Sequence, residues 1–344
     1  MNDRAPPLLE VRGLRTHFPV KGGVLLRAVA TCKAVDGVNL QIFPGETLGL
    51  VGESGCGKST LGKTIARLIR PTAGQVLFEG ADLAPLSHRQ LKPIRRHLQM
   101  VFQDPAESLN SRHTVGAIVE EPLLIHDLGT PAERLQQVHD LLARVGLPRD
   151  AAQRYPFEFS GGQRQRIGIA RAIALHPRLI ICDEPVSALD VSIQSQVLNL
   201  LLDLQRELGL SYLFIAHNLA VVKHVSDRIA VMYLGRIVEL AGADELHADP
   251  RHPYTQALIA AIPEPNPRRV RRRLVIPGDI PSPINPPSGC PFHPRCPYAT
   301  EKCKIEVPEL REIAPTGQPS HTVSCHYDLP NRSADAALMT PGGH

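Results

Sequence analysis

The stretch from Thr47 to Thr60 reads TLGLVGESGCGKST, and it decides how the rest of the chain is interpreted. Its first five residues are an apolar run that predicts a buried strand. Gly52 to Thr60 then match the pattern G-x-x-x-x-G-K-[ST]. A helix is predicted next, because apolar residues follow at helical spacing, at Leu61, Ile65, Leu68 and Ile69. A strand, a glycine-rich turn and a helix are the context that a phosphate-binding loop requires, so the stretch predicts an α/β protein that binds a nucleotide.

Each residue type in this loop has a physical reason to be there. The glycines let backbone N–H groups turn toward phosphate oxygens, and the helix N-terminus adds the positive end of its dipole. Lys58 is predicted to reach the β- and γ-phosphates, and the Ser59 hydroxyl is predicted to bind Mg²⁺. The predicted nucleotide contacts in the loop are Gly52, Ser54, Gly55, Cys56, Gly57, Lys58, Ser59 and Thr60.

Polar residues follow other apolar runs of the predicted sheet. The run LIIC leads directly into Asp183 and Glu184, YLFIA leads into His217, and Gln103 follows the run in QMVFQDP. Two adjacent carboxylates at the end of a buried apolar strand cost free energy to desolvate, so they are expected there only if they have a function. Phosphoryl transfer uses one to hold Mg²⁺ and the other to orient and polarise the attacking water. His217 is a candidate γ-phosphate contact or an ordinary strand-end histidine, and Gln103 is a candidate contact of the water or of Mg²⁺.

A second glycine-rich helix start lies at Glu158 to Arg166, EFSGGQRQR. Together with the loop and the polar strand ends, it makes the sequence resemble the ATP-binding cassette of ABC transporters. The resemblance implies a P-loop NTPase cassette with a RecA-like core, an antiparallel β subdomain and a helical subdomain at about residues 104–172. It also implies that two cassettes pack head to tail. Ser160, Gly161, Gly162 and Gln163 of one would then contact the nucleotide that the other holds.

The resemblance assigns roles to further residues. Glu184 would be the general base, His217 the switch histidine, and Gln103 a contact of Mg²⁺ and of the attacking water. Asp183 would hold Mg²⁺ through water, alongside Ser59. Asp190 would belong to the loop that joins the two sites, and Phe18 would stack on adenine where the family often has tyrosine.

Residues 8–328 closely resemble the ATP-binding subunits of dipeptide and oligopeptide importers, of the second type in the usual pair. The segments that carry this likeness are VGESGCGKSTLGK, VFQDPAESLN, FSGGQRQRI, DEPVSALDVSIQ, DPRHPYTQAL and PSPINPPSGCPFHPRC. The implied partners are a second ABC ATPase subunit, two transmembrane permease subunits and, through them, an extracytoplasmic substrate-binding protein. Ser111 departs from the family, which commonly has proline there, near the groove for the permease.

Composition restricts the class of protein. The chain has 344 residues, 43% of them hydrophobic and 21% charged, with a net charge of +4. It lacks an apolar run of about 18 residues and an N-terminal secretory pattern, so we expect a cytoplasmic protein that does not cross a membrane. The resemblance to importer subunits implies that it lies at the cytoplasmic face of the cell membrane. The net charge is too small to predict a nucleic-acid partner. The basic run at Arg268–Arg273 nevertheless leaves an alternative, a soluble ABC ATPase with a regulatory or nucleic-acid-associated role. Nickel or another small solute is an alternative cargo.

Proline density rises near residue 250, which predicts a domain boundary near residues 245–250. We therefore expect a cassette at 1–247, an extension at 248–330 and a loose tail at 331–344. The extension contains four cysteines whose spacing lacks the C-x₂₋₄-C knuckle of zinc sites. From the spacing alone, free thiols, zinc and an iron–sulfur cluster all stay open. The family resemblance favours a [4Fe-4S] cluster, because some dipeptide importer cassettes carry one in this tail. The predicted ligands are Cys290, Cys296, Cys303 and Cys325.

Overall fold

The structure is a computed structural model, and it describes residues 5–22, 27–104, 108–262, 276–313 and 320–329. The chain divides into two compact units, each assembled from several segments. The first comprises Met1–Arg12, Leu40–Leu48 and Gly62–Ala216. The second comprises Gly13–Asn39, Gly49–Leu61 and His217–His344.

The strands of the described residues are β1 (Leu9–Gly22), β2 (Arg27–Ile42), β3 (Thr47–Val51), β4 (Ala73–Phe78), β5 (Ala81–Asp82), β6 (Leu98–Val101), β7 (Leu179–Asp183), β8 (Ser211–Ile215), β9 (Arg228–Tyr233), β10 (Arg236–Gly242), β11 (Arg311–Glu312) and β12 (Thr322–Val323). The helices are α1 (Lys58–Ile65), α2 (His88–Arg95), α3 (Val115–Ile125), α4 (Pro131–Arg144), α5 (Gly161–Ile173), α6 (Val191–Leu208), α7 (Leu219–Val225), α8 (Ala243–Ala248), α9 (Pro253–Ala260) and α10 (Glu301–Ile305). Short 3₁₀ turns cover Arg149–Gln153, Pro156–Glu158 and His293–Arg295.

The first unit contains a parallel sheet in which β7 lies between β6 and β8. Leu98 pairs with Leu179, and Leu179 with Ser211. Every residue of β7 and β8 is buried, as expected for parallel strands covered on both faces. The predicted strands at TLGLV, LIIC and YLFIA are confirmed as β3, β7 and β8. Because the strands are parallel, the carboxyl ends of β6, β7 and β8 lie at one edge of the sheet, which positions the polar residues that follow them.

Helices α3, α4 and α5 pack together in the first unit, with the turn at Arg149–Gln153. Helix α4 begins with reciprocal side-chain-to-backbone hydrogen bonds between Thr130 and Glu133. Helix α1 is shorter than its apolar spacing predicts and ends at Ile65. Arg67 takes a left-handed conformation at φ +54°, and the N–H groups of Arg67 and Leu68 donate to the carbonyls of Thr64 and Lys63, so the helix ends in a Schellman motif.

The second unit contains the antiparallel hairpin of β9 and β10, whose ends Tyr233 and Arg236 pair with each other. Leu234 and Gly235 form the turn, both with positive φ, as the commonest two-residue hairpin requires. Strand β12 pairs with β10, and β11 with β12, so the last described strands extend this hairpin. Helix α9 begins with Pro253 in its first turn, where the missing N–H of proline leaves no helical hydrogen bond unmade. The predicted division at residue 247 stays a prediction.

In the described part of the chain, every helix is too short or too polar to reach across a lipid bilayer.

Candidate nucleotide site

In the second unit, the side chain of Lys58 donates hydrogen bonds to backbone carbonyls of its own phosphate loop. Lys58 is buried, and its Nζ donates to the carbonyl oxygens of Gly52 at 2.8 Å and Glu53 at 3.0 Å. These bonds pin the ammonium group over the loop, where it balances the carbonyl dipoles. An anion held by the loop's N–H groups would meet a positive charge that is already in place.

Backbone from two other segments forms the wall of the loop. The N–H of Gly235 donates to the Cys56 carbonyl at 2.9 Å, and the N–H of Asp36 donates to the Gly235 carbonyl at 2.9 Å. Gly57 has φ +106°, and a Cβ added there would lie 2.0 Å from the Ala34 carbonyl oxygen. Since a carbonyl oxygen cannot move away as a side chain can, only glycine fits at this position.

The polar ends of the parallel strands form a second feature, within the first unit. Asp183 ends β7 and is 2% exposed, and Glu184 follows it. Gln103 Nε2 donates to Glu184 Oε2 at 3.1 Å. Glu184 has a left-handed φ of +46°, while its N–H donates to the Ile215 carbonyl at 2.9 Å. A non-glycine residue held in this conformation at the end of a buried strand stores strain, which is common where a side chain must be aimed.

The stretch SGGQ begins α5 in the first unit. The Ser160 hydroxyl accepts from the Gln163 N–H at 3.3 Å, and the Gln163 side chain accepts from the Ser160 N–H at 3.0 Å. This is a capping box, and the spacing S-x-x-Q is the sequence signal that predicts it. Sequence analysis assigned the stretch to phosphate binding and missed its capping role. Ser160 is exposed, and Gly162 packs against Ile193.

The other predicted residues take separate places. Phe18 lies on β1 and is 39% exposed. His217 is exposed and follows β8 by two residues, and Asp190 is the residue before α6. Ser54 and Gly55 are exposed, while Cys56 is buried and Ser59 and Thr60 are half-buried at the start of α1. Ser111 lies in an exposed turn.

Three residues around the phosphate loop, Glu53, Tyr254 and Arg295, were not predicted. Glu53 lies in the loop, and in the second unit it contacts Tyr254 and Arg295 from distant parts of the chain. No local sequence signal predicts these contacts, because 201 and 242 residues separate the partners.

The four cysteines of the extension converge in the second unit. They line one small cavity, whose walls also include Phe292 and His252, and none forms a disulfide. Burial raises the pKa of Cys290 and of Cys296 to about 11. Within the described ranges, no three His, Cys, Asp or Glu side chains are grouped closely enough to hold one metal ion. Cysteine sulfur is nevertheless the donor that iron–sulfur clusters use, so the donor set fits such a cluster in its chemistry. The cavity is lined by Cys290, Cys296, Cys303 and Cys325.

Two predicted features, the basic run at Arg268–Arg273 and the tail at 331–344, lie outside the described residues.

Known proteins resemble this chain over nearly its whole length. The family model of ABC transporters matches residues 35–187, and that of the oligopeptide/dipeptide transporter C-terminal region matches residues 238–303. The oligopeptide transport ATP-binding protein AppF of Bacillus subtilis is 56% identical over 322 residues, which are 93% of this chain and 97% of AppF.

Solved structures of ABC cassettes share the fold. The cassette MJ0796, as a dimer in a post-hydrolysis state with ADP and Pi, is 29% identical with a TM-score of 0.61, and the match covers 68% of this chain and 98% of that one. The cbiO1 protein of Clostridium perfringens, part of the ABC transporter complex cbiONQ, is 27% identical with a TM-score of 0.61. This match covers 71% of this chain and 92% of cbiO1.

The fold and the phosphate loop define an α/β cassette that hydrolyses ATP, which confirms the predicted fold class and the predicted ATPase activity. The chain belongs to the ABC transporter family, among the ATP-binding subunits related to oligopeptide and dipeptide transport.

Proposed function

We propose that this chain hydrolyses MgATP to power the import of dipeptides and oligopeptides across the cytoplasmic membrane. The observation that carries the proposal is the similarity to AppF, which extends over 93% of the chain and includes the extension as well as the cassette. The match of residues 238–303 to the oligopeptide/dipeptide transporter C-terminal region supports the same cargo.

The import machinery requires other subunits. The chain would lie at the cytoplasmic face, bound to two transmembrane permease subunits that receive peptide from an extracytoplasmic binding protein. A second ABC ATPase subunit, identical or similar, would pair with it. The exposed turn at Ser111 belongs to the surface where we expect the permease to dock.

The proposal assigns the chemistry to residues of this chain. Lys58 and the loop bind the phosphates, Phe18 stacks on adenine, and Ser59, Gln103 and Asp183 bind Mg²⁺. Glu184 takes a proton from the attacking water, which Gln103 and His217 help to position. The contact between Gln103 and Glu184 supports a shared task for these two side chains. A bound Mg²⁺ would neutralise charge on the transferring phosphoryl group.

We propose that each working pocket needs two cassettes. The chain has one phosphate loop and one SGGQ stretch. Ser160, Gly161, Gly162 and Gln163 would contact the γ-phosphate held by the partner cassette, and Asp190 would connect the two pockets. The capping box supports this assignment, because it fixes an exposed helix start whose first N–H groups lack acceptors within the helix. The dimeric state of MJ0796 with ADP and Pi gives a precedent in a related cassette.

We also propose that Cys290, Cys296, Cys303 and Cys325 hold a [4Fe-4S] cluster. Their convergence on one cavity supports it. When bound, a cluster would supply a one-electron redox centre, while the thiols would have to lose their protons to ligate it. Iron and acid-labile sulfide should accompany the protein after anaerobic purification. Colourless protein that lacks both would refute this part of the proposal.

The experiment that tests the import function uses the chain assembled with its permeases and partner cassette in proteoliposomes. Glu184→Gln should leave ATP affinity intact and lower the rate of phosphate release about 10²- to 10⁴-fold, since a positioned base contributes that much. ATP-dependent uptake of a labelled dipeptide should fall with it. Measurements are phosphate release, fluorescent-nucleotide titration and peptide accumulation.

The matched control is Glu207→Gln, which changes an exposed carboxylate on α6 that pairs with Arg144. This variant should behave as the wild type does. Unchanged turnover in Glu184→Gln would contradict the assigned base. ATP-driven accumulation of a nickel chelate, without accumulation of any peptide, would refute the peptide cargo and leave the ATPase assignment standing.

A further inference from the structure

Glu53 of the phosphate loop is held through both its backbone and its side chain. Its N–H donates to the Tyr254 hydroxyl oxygen at 2.8 Å, and its carbonyl accepts from Lys58 Nζ at 3.0 Å. Its two carboxylate oxygens accept from the two terminal nitrogens of Arg295, at 2.9 and 3.1 Å. The backbone and the side chain of a single loop residue are therefore both held by the C-terminal part of the chain.

The pair of Arg295 and Glu53 is shielded from water on the arginine side. The Arg295 side chain is only 7% exposed, and its guanidinium lies 5.9 Å from the centre of the Tyr233 ring. A bidentate arginine–carboxylate pair combines charge with a fixed planar geometry, and burial strengthens it. Removal of either partner leaves a poorly hydrated charge, so the pair is expected to resist separation.

The segments that carry Tyr254 and Arg295 are fixed by a common aromatic cluster. The ring centre of Phe292 lies 5.3 Å from that of Tyr233 and 5.6 Å from that of Tyr254. The Arg295 N–H donates to the Phe292 carbonyl at 3.0 Å, within the turn at His293–Arg295. Because these rings are buried, the two contacts to Glu53 come from a rigid support.

We propose that Arg295 and Tyr254 are positioning residues for ATP binding. They hold Glu53 so that its carbonyl, with that of Gly52, keeps Lys58 in place for the phosphates. The inference rests on the proposed role of Lys58. It extends that role by making the C-terminal extension part of the nucleotide-binding machinery.

The expected signature is a loss of ATP affinity without a comparable loss of the chemical step. In the complete transporter, Arg295→Met should raise the Kd for MgATP about tenfold or more, the value of one charged hydrogen bond. The rate of hydrolysis at saturating ATP should change much less. Glu53→Gln should raise Kd similarly, and the double variant should be no worse than either single variant, since the two residues act as one unit.

Matched variants separate positioning from general stability. Arg295→Lys keeps the charge but loses the bidentate contact, so it should restore part of the affinity. Tyr254→Phe removes only the acceptor of the Glu53 N–H and should raise Kd by a smaller factor. Arg311→Met is the control, because that arginine belongs to the same extension but pairs with Asp328 and the Cys325 carbonyl. Its ATP affinity should equal that of the wild type.

Fluorescent-nucleotide titration gives Kd, phosphate release gives kcat and KM, and thermal unfolding checks that each variant is folded. A folded Arg295→Met with wild-type Kd would overturn the inference, as would equal losses of affinity in Arg295→Met and Arg311→Met. If Arg295→Met does not fold, the Kd values of Glu53→Gln and Tyr254→Phe test the inference instead, because these variants change the other residues of the same contacts. Wild-type protein that does not bind MgATP would instead refute the assigned nucleotide site.

Discussion

The phosphate loop and the SGGQ stretch are both glycine-rich helix starts suited to an anion, but they are held in opposite ways. The loop is fixed by contacts from distant segments: backbone at Ala34 and Gly235, and the side chains of Tyr254 and Arg295. The start of α5 is fixed by a capping box between two of its own residues. Lys58 of the loop is 4% exposed, whereas Ser160 is exposed.

The two regions therefore differ in how much of a phosphate site one chain completes alone. One compact unit contains the loop together with Lys58, the backbone segments that contact the loop, and the side chains of Tyr254 and Arg295. The SGGQ stretch has a rigid backbone but an exposed surface, as expected for a helix start that serves a nucleotide bound elsewhere. The contrast supports a pocket shared between two cassettes.

Alanine at one glycine of each region should have a large effect, on ATP binding in the phosphate loop and on hydrolysis in the SGGQ stretch. Gly57 has φ +106°, and Gly57→Ala places a Cβ 2.0 Å from the Ala34 carbonyl oxygen. ATP binding should therefore be lost, and the free energy of unfolding should fall by about 1–3 kcal/mol or more. Gly162→Ala places its Cβ 2.4 Å from the Ile193 side chain, which is able to shift. This variant should keep ATP affinity and lose hydrolysis.

Nucleotide titration, phosphate release and chemical denaturation distinguish the two variants. The comparison would fail if Gly162→Ala lost ATP affinity to the same extent as Gly57→Ala.

The sequence predicts the parts of this site that depend on local pattern. The apolar runs of β3, β7 and β8 are confirmed, because strands buried on both faces need continuous apolar residues. The capping box at Ser160 can also be predicted from the sequence, since S-x-x-Q is a known signature of this motif.

The remainder depends on contacts that no local pattern encodes. Helix α1 ends at a left-handed residue that is Arg67 and not the usual glycine, so the sequence does not mark this end. The bracing of Glu53 depends on Arg295, 242 residues away. Prolines and cysteines identify the extension as distinct, but they do not reveal that it holds the phosphate loop.

A smaller effect is expected from pH on the free energy of unfolding, through the residues that hold the start of α9, the helix that carries Tyr254. Glu239 is fully buried, accepts the N–H groups of Arg251 and His252 just before α9, and contacts His321 Nε2 at 2.8 Å. Burial lowers the pKa of His321, but the contacts with Glu239 and Glu245 outweigh it, so the pKa is raised. Burial lowers the pKa of His252 to about 4.

The two histidines affect stability in opposite directions. His252 is kept neutral in the fold, so its contribution is lost as pH falls from about 6.5 toward 4. His321 is kept charged, so its contribution is full below about pH 6.5 and is lost as pH rises through its raised pKa. For these two groups, the free energy of unfolding should therefore be greatest near pH 6.5.

Denaturant titrations across this pH range measure the effect. In His321→Gln the decline on the alkaline side should become shallower, while the decline on the acid side should persist. An unchanged alkaline slope in this variant would contradict the assigned ion pair.

We propose that the SGGQ stretch of one cassette completes the phosphate site of another. The ATP hydrolysis rate per chain, measured as the cassette concentration is lowered, tests this proposal. Sedimentation should follow the fraction of paired cassettes at each concentration, and Ser160→Arg should be inactive throughout. The account predicts a per-chain rate that falls with the paired fraction and returns when the partner cassette is added. A constant rate down to concentrations at which every cassette is monomeric would contradict it.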